Sequence, residues 1–242
     1  MLMEKQMKHL FVLVAAFVTM VAGGELNAAT VGFYFNESNA LVDLPPGDTF
    51  YGEVVLEMDV PNEITITVNP FSSPGENDQL GNFINSPLVA GPNFGIQEFA
   101  LNSTLINDEG DFDNFVNVYD IVVPSSWNYE YEKNISEFGL FEFVLAGTGS
   151  SRQDPLVIEI SPKAGADLTG YEFNSISDFV ELNAEGYCFV AHIADFTVDP
   201  AYWEECQSNP ESAYFAIRVT PEPSMMVMVG FGLLALLRKK KS

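Results

Sequence analysis

Strict alternation of apolar and polar residues recurs along the middle of the chain. Within Phe50–Val60, Val54, Leu56, Met58 and Val60 fall on one side, and Glu53, Glu57 and Asp59 on the other. Ile64, Ile66 and Val68 alternate with Thr65 and Thr67. Phe141, Phe143 and Leu145 alternate with Leu140, Glu142 and Val144. Leu156, Ile158 and Ile160 repeat the spacing, and Ala213, Phe215, Ile217 and Val219 close the series. Successive side chains of a strand point to opposite faces, so this period predicts half-buried strands. Turn-forming clusters separate them: Pro45-Pro46-Gly47-Asp48, Pro61-Asn62, Ser73-Pro74-Gly75 and Gly147-Thr148-Gly149. The apolar run Tyr187–Val198 predicts a further strand, and residues 69–92 a long loop with one short strand. No stretch of this middle region carries the pattern of a long amphipathic helix. Many short strands with frequent turns predict an all-β, jelly-roll-like sandwich of two sheets, one domain over residues 30–219. The chain's 20 phenylalanines are expected mostly as filling between the sheets.

The two ends break this pattern. Lys5 and Lys8 precede an apolar run from Leu10 to Ala22, followed by small residues up to Ala28 and Ala29. That order predicts a signal peptide over residues 1–29, cleaved after Ala28 or Ala29. At the other end, Thr220-Pro221-Glu222-Pro223-Ser224 leads into an apolar segment, 225–237, and then Arg238, Lys239, Lys240 and Lys241. Thirteen residues at 1.5 Å rise make about 20 Å of helix, short of the ~30 Å hydrocarbon core. The four cations would hold the C-terminus on the cytoplasmic side. Pro221 and Pro223 keep the junction extended and open to a protease.

This order of signature, apolar helix and basic cluster resembles a PEP-CTERM sorting tail, here residues 220–242. The resemblance implies a bacterial exported protein processed by an exosortase-type membrane enzyme. Such a protein is held in the inner membrane by its helix and then released to the cell surface or extracellular matrix, in association with exopolysaccharide. Thr220 stands where a small apolar residue often precedes the signature, and the basic cluster is Lys-rich rather than Arg-rich. Phe138–Pro155 and Tyr214–Ile217 are also similar to segments of exported PEP-CTERM sandwich proteins.

Charge narrows the partners. The chain carries 34 acidic and 10 basic residues, a net −24. Once both ends are trimmed, the basic residues are Lys133, Arg152, Lys163 and Arg218. Such a surface stays soluble by self-repulsion and argues against nucleic acid, whose binding needs cations. Cys188 and Cys206 are the only cysteines. In an oxidising exterior they are expected to pair, closing a loop of about 19 residues for roughly 3 kcal/mol.

Candidate chemistry is sparse. His192 lies inside an apolar strand and is expected beside the core. No Gly-x-Ser-x-Gly elbow, His-Glu-x-x-His pair or glycine-rich phosphate loop occurs, and a non-enzymatic protein is expected. Asp108, Asp111 and Asp113, spaced around Gly110, offer hard oxygen ligands of the kind Ca²⁺ takes; a polar loop between strands accounts for them equally. Trp127, Tyr129 and Tyr131 share one face of any strand there. They form either a stacking platform for sugar rings, as in a carbohydrate-binding module, or an aromatic edge of the core. A hydrolase using an unidentified carboxylate pair is a third reading.

Overall fold

Thirteen strands and one α-helix follow one another in a computed structural model that describes residues 29–41, 49–73, 76–79, 81–202 and 210–218. Residues 1–28 of the expected signal peptide, the sorting signature Pro221–Pro223, the segment 225–237 and the basic cluster 238–241 lie outside the described residues, whereas Ala29, the last residue of that expected peptide, begins the first strand. The strands are β1 (Ala29–Phe35), β2 (Glu37–Ser38), β3 (Gly52–Met58), β4 (Ile64–Pro70), β5 (Glu76–Asn77), β6 (Phe83–Ile84) and β7 (Leu88–Leu101). After helix α1 (Glu109–Val118) come β8 (Tyr119–Val122), β9 (Asn128–Asn134), β10 (Leu140–Ala146), β11 (Leu156–Pro162), β12 (Tyr187–Val198) and β13 (Ser212–Arg218). A five-stranded sheet has the order β1-β3-β4-β11-β8 and a six-stranded sheet the order β2-β13-β12-β7-β10-β9; β5 and β6 form a separate hairpin. All these pairings are antiparallel.

The alternation explains why the sheets face each other. Val54, Leu56 and Met58 of β3, Ile64, Ile66 and Val68 of β4, and Leu156, Ile158 and Ile160 of β11 all enter one buried cluster. Phe99 and Leu101 of β7, Phe143 and Leu145 of β10, and Phe215 and Ile217 of β13 enter it from the opposite sheet. Rings meet across the gap: Phe33 stands 5.3 Å from Phe189, and Tyr51 stands 4.4 Å from Phe215. Full burial of one such ring is worth about 1.5–3 kcal/mol. Among the described residues no helix is long and apolar enough to cross a membrane.

Three details depart from the sequence pattern. Phe141 does not share a face with Phe143: the β9–β10 register is the same on both sides of Glu142, but Glu132, at the intervening position of β9, takes a positive φ of 53°. Phe141 joins Phe138, Val144, Tyr187 and Val190 in a smaller cluster on the outer face of the six-stranded sheet. Glu53, on the polar side of β3, is fully buried. The β5–β6 hairpin lies over it, and Glu53 Oε1 accepts from Gln79 N at 3.0 Å and Asn69 Nδ2 at 3.3 Å. The expected long loop, 69–92, instead contributes that hairpin and the start of β7, the strand between β12 and β10.

Candidate functional site

The acidic cluster is the start of a helix rather than a loop. Asp108 is the N-cap of α1, its Oδ1 accepting from Asp111 N at 2.9 Å. The Asp111 carboxylate accepts from Asn107 Nδ2 at 3.1 Å and from Asn107 N at 3.3 Å. Those Asn107 donors hold the Asp111 carboxyl below its ordinary range. Acidic groups at a helix start complement its unpaired N–H groups and dipole. Phe112 and Phe115, three residues apart, are the buried side of the helix, while Asp113 is exposed. Among the described residues no three of His, Cys, Asp and Glu are grouped to hold a metal ion. Asp108→Ala should remove the cap and lower unfolding stability by about 1 kcal/mol, read by urea denaturation. An unchanged midpoint would mean that the cap contributes nothing.

Trp127, Tyr129 and Tyr131 do share a face, and that face is the inner one. Trp127 is only 4% exposed, and its Nε1 donates to Ser151 O at 2.8 Å. Tyr131 packs 5.7 Å from Phe112 and Tyr129 packs 6.3 Å from Phe143, so α1 and β10 form the other walls. Tyr129 alone of the three remains exposed, at 40%. An exposed platform of three rings is therefore replaced by an aromatic edge of the core.

Cys188 is fully buried, its Sγ donating to Ile217 O at 3.5 Å. Burial pushes its thiol up to about 12. Cys206, its expected partner, lies outside the described residues. His192 is half-buried on the outer face of β12 and stacks on Tyr214, with ring centroids 4.6 Å apart. Burial holds its imidazole below the ordinary value, with the Glu98 charge acting in the opposite direction.

Sequence reading did not single out the polar groups that tertiary pairing assembles. Beside His192 on that face, Lys133 Nζ donates to Glu98 Oε2 at 2.6 Å, and Tyr214 Oη donates to Glu98 Oε1 at 3.5 Å. These charges lie far apart in sequence and meet only through the register of β7, β9, β12 and β13. On the opposite sheet Tyr34 donates to Asp78, which also accepts from Asn82 N at 2.6 Å.

The last described residue carries a clamp. Arg218 Nη2 donates to Tyr187 Oη at 2.6 Å, and Tyr187 Oη donates to Glu37 Oε2 at 2.6 Å. Arg218 Cζ lies 4.6 Å from the centre of the Tyr187 ring, and its Nε lies 3.6 Å from Glu37 Oε1. Burial, with the Glu37 carboxylate beside it, pushes the Tyr187 phenol up to about 12. Three strands, β2, β12 and β13, are thus tied at the point where the chain leaves the sheet. A cation–π contact and a charge-assisted bond here contribute more than an isolated surface ion pair.

The chain that follows this clamp is the part with known counterparts. Residues 219–241 match the family model of the PEP-CTERM protein-sorting motif. That match begins one residue after β13 ends. It implies export, passage through the membrane and processing by exosortase. No curated protein and no solved structure matches the chain.

Proposed function

We propose that this chain is a non-enzymatic exported protein that exosortase cuts at Pro221-Glu222-Pro223 and releases to the cell surface or extracellular matrix, where it associates with exopolysaccharide. The observation that carries the reading is the direct junction of the sorting motif at residue 219 to a strand that ends at Arg218. No stalk separates folded sheet and sorting tail, so the whole β-rich unit is the cargo. Its excess of 34 acidic over 10 basic residues favours a hydrated, unaggregated state outside the cell.

The test replaces Pro221 and Glu222 with Ala in a host that carries an exosortase. Membrane insertion should persist, since the apolar segment and the four cations are untouched. Processing should fail, leaving the precursor in the inner membrane. C-terminal peptide mapping of the unaltered protein from the surface fraction should end near 221–224. Recovery of the tail through Ser242 in that fraction would refute the reading.

A further inference from the structure

The sandwich is open along one margin. Beneath β1 lies a largely apolar groove of about 380 Å³, lined by Ala29, Val31, Phe33 and Met58 on one side and by Ile176 and Val180, with the uncharged polar Asn174, Ser175 and Ser177, on the other. The β1 residues here are the inward-facing ones, and Phe33 is already part of the core. β1 is an edge strand, paired only with β3, so this groove is where the apolar interior reaches the surface.

The path of β13 leads into it. Tyr51, whose N donates to Phe35 O at 3.0 Å, meets the ring of Phe215. One step further, Phe33 meets Phe189, the register partner of Ile217. β1 read backwards from Phe35 and β13 read forwards from Phe215 therefore run side by side across the gap. Phe33 to Ala29 spans about 13 Å of strand, and Ile217 to Pro221 spans about the same. Phe215 and Ile217 face the core, whereas Tyr214 and Arg218 face outward. Were that alternation to continue past Arg218, positions 219 and 221 would point toward the groove and position 220 away. Tyr187 opposite Arg218 is the last β12–β13 pair among the described residues; the missing N–H of Pro221 would cost no ladder bond past that point.

We propose that the groove beneath β1 seats Val219 and Pro221, so that the residues joining the sheet to the sorting signature dock on the protein's own open margin. The lining suits these two apolar side chains and offers no charge to Glu222, which stays outside. In the released protein this seat closes the margin and holds the new C-terminus against the body. Which C-terminus is present rests on the processing proposed above; the docking does not.

A photo-crosslinking phenylalanine derivative tests this, placed singly at 219, 220 or 221 in the detergent-solubilised full chain and at 219 or 220 in the surface-released protein, where the signature must stay intact. Positions 219 and 221 should crosslink within one chain to peptides containing 29–33 or 174–180, and position 220 should not. Crosslinks to a second copy, to detergent alone, or equally from all three positions would overturn it. Val219→Asp should lower the melting temperature while Thr220→Asp leaves it unchanged; equal effects would also overturn it. The C-terminal mass of the same samples reports processing separately. Intact tails with the expected crosslinks would sink the processing proposal alone, and trimmed tails without them the docking alone.

Discussion

Trp127→Ala lowers unfolding stability by about 3–5 kcal/mol, the range for removing a buried aromatic side chain from a core. The indole is 4% exposed and has more than one reason to be there. Its backbone N donates to Pro124 O at 2.8 Å, closing a turn that feeds β9. Its Nε1 satisfies Ser151 O across the sheet at 2.8 Å. Its ring lies so close to Gly147 that a Cβ there would stand 2.6 Å from it, so Gly147 is small because Trp127 is large. Truncation leaves a cavity against a backbone that cannot collapse easily, and leaves Ser151 O with Gln153 Nε2, at 3.0 Å, as its remaining donor. Urea denaturation of the released protein measures the loss. A loss below about 1 kcal/mol, the scale of a surface substitution, combined with lost glycan binding, would restore Trp127 to a sugar-facing role. Gly147→Ala should be destabilising for the same reason, and less so in the Trp127→Ala background, because the two share one space.

Glu142→Gln stabilises the protein at pH 8 and leaves it little changed at pH 4. Burial raises the Glu142 carboxyl from 4.5 to about 7, helped by the neighbouring charges of Glu181 and Glu132, while a hydrogen bond from Ser103 N opposes them. The folded state therefore binds this proton more tightly than the unfolded chain does. Its contribution is fully present below pH 4.5, declines as pH rises toward 7, and above that the buried carboxylate is a net cost. With discount for partial exposure and for the carboxylates around it, that cost is on the order of 2 kcal/mol. Glutamine is neutral throughout and keeps an acceptor for Ser103 N. The check is the denaturation midpoint of parent and variant between pH 4 and 8. Parallel curves across that range would show that Glu142 titrates as an ordinary surface acid.

The sequence pattern located most strands correctly where one face is core and the other is water. β4, β11 and β13 follow directly from alternation, because nothing but the two sheets competes for their side chains, and β12 follows from its apolar run. The pattern misled where a third element covers the outer face. Glu53 reads as a solvent-facing acid, yet the β5–β6 hairpin buries it; hairpins of two-residue strands leave no periodic trace. α1 was hidden because its first turn is Glu109-Gly110-Asp111, a composition that reads as loop until the Asp108 cap and the Phe112–Phe115 spacing are taken together. β7 was obscured by Gly91-Pro92-Asn93, which mark register shifts against β12 rather than the end of a strand. The Arg218–Tyr187–Glu37 clamp joins residues up to 181 positions apart, a distance local sequence cannot reveal.

The place of β13 in its sheet also orders events during export. It lies between β12, its neighbour in sequence, and β2, formed near the start of the chain, with Ser38 opposite Phe215. Contacts of such separation are the slow ones to close. The six-stranded sheet cannot be completed until residues 212–218 have emerged, and the sorting tail follows them at once. Closure of the six-stranded sheet therefore waits on the last strand before the sorting motif, so the order of the chain sets the order of assembly.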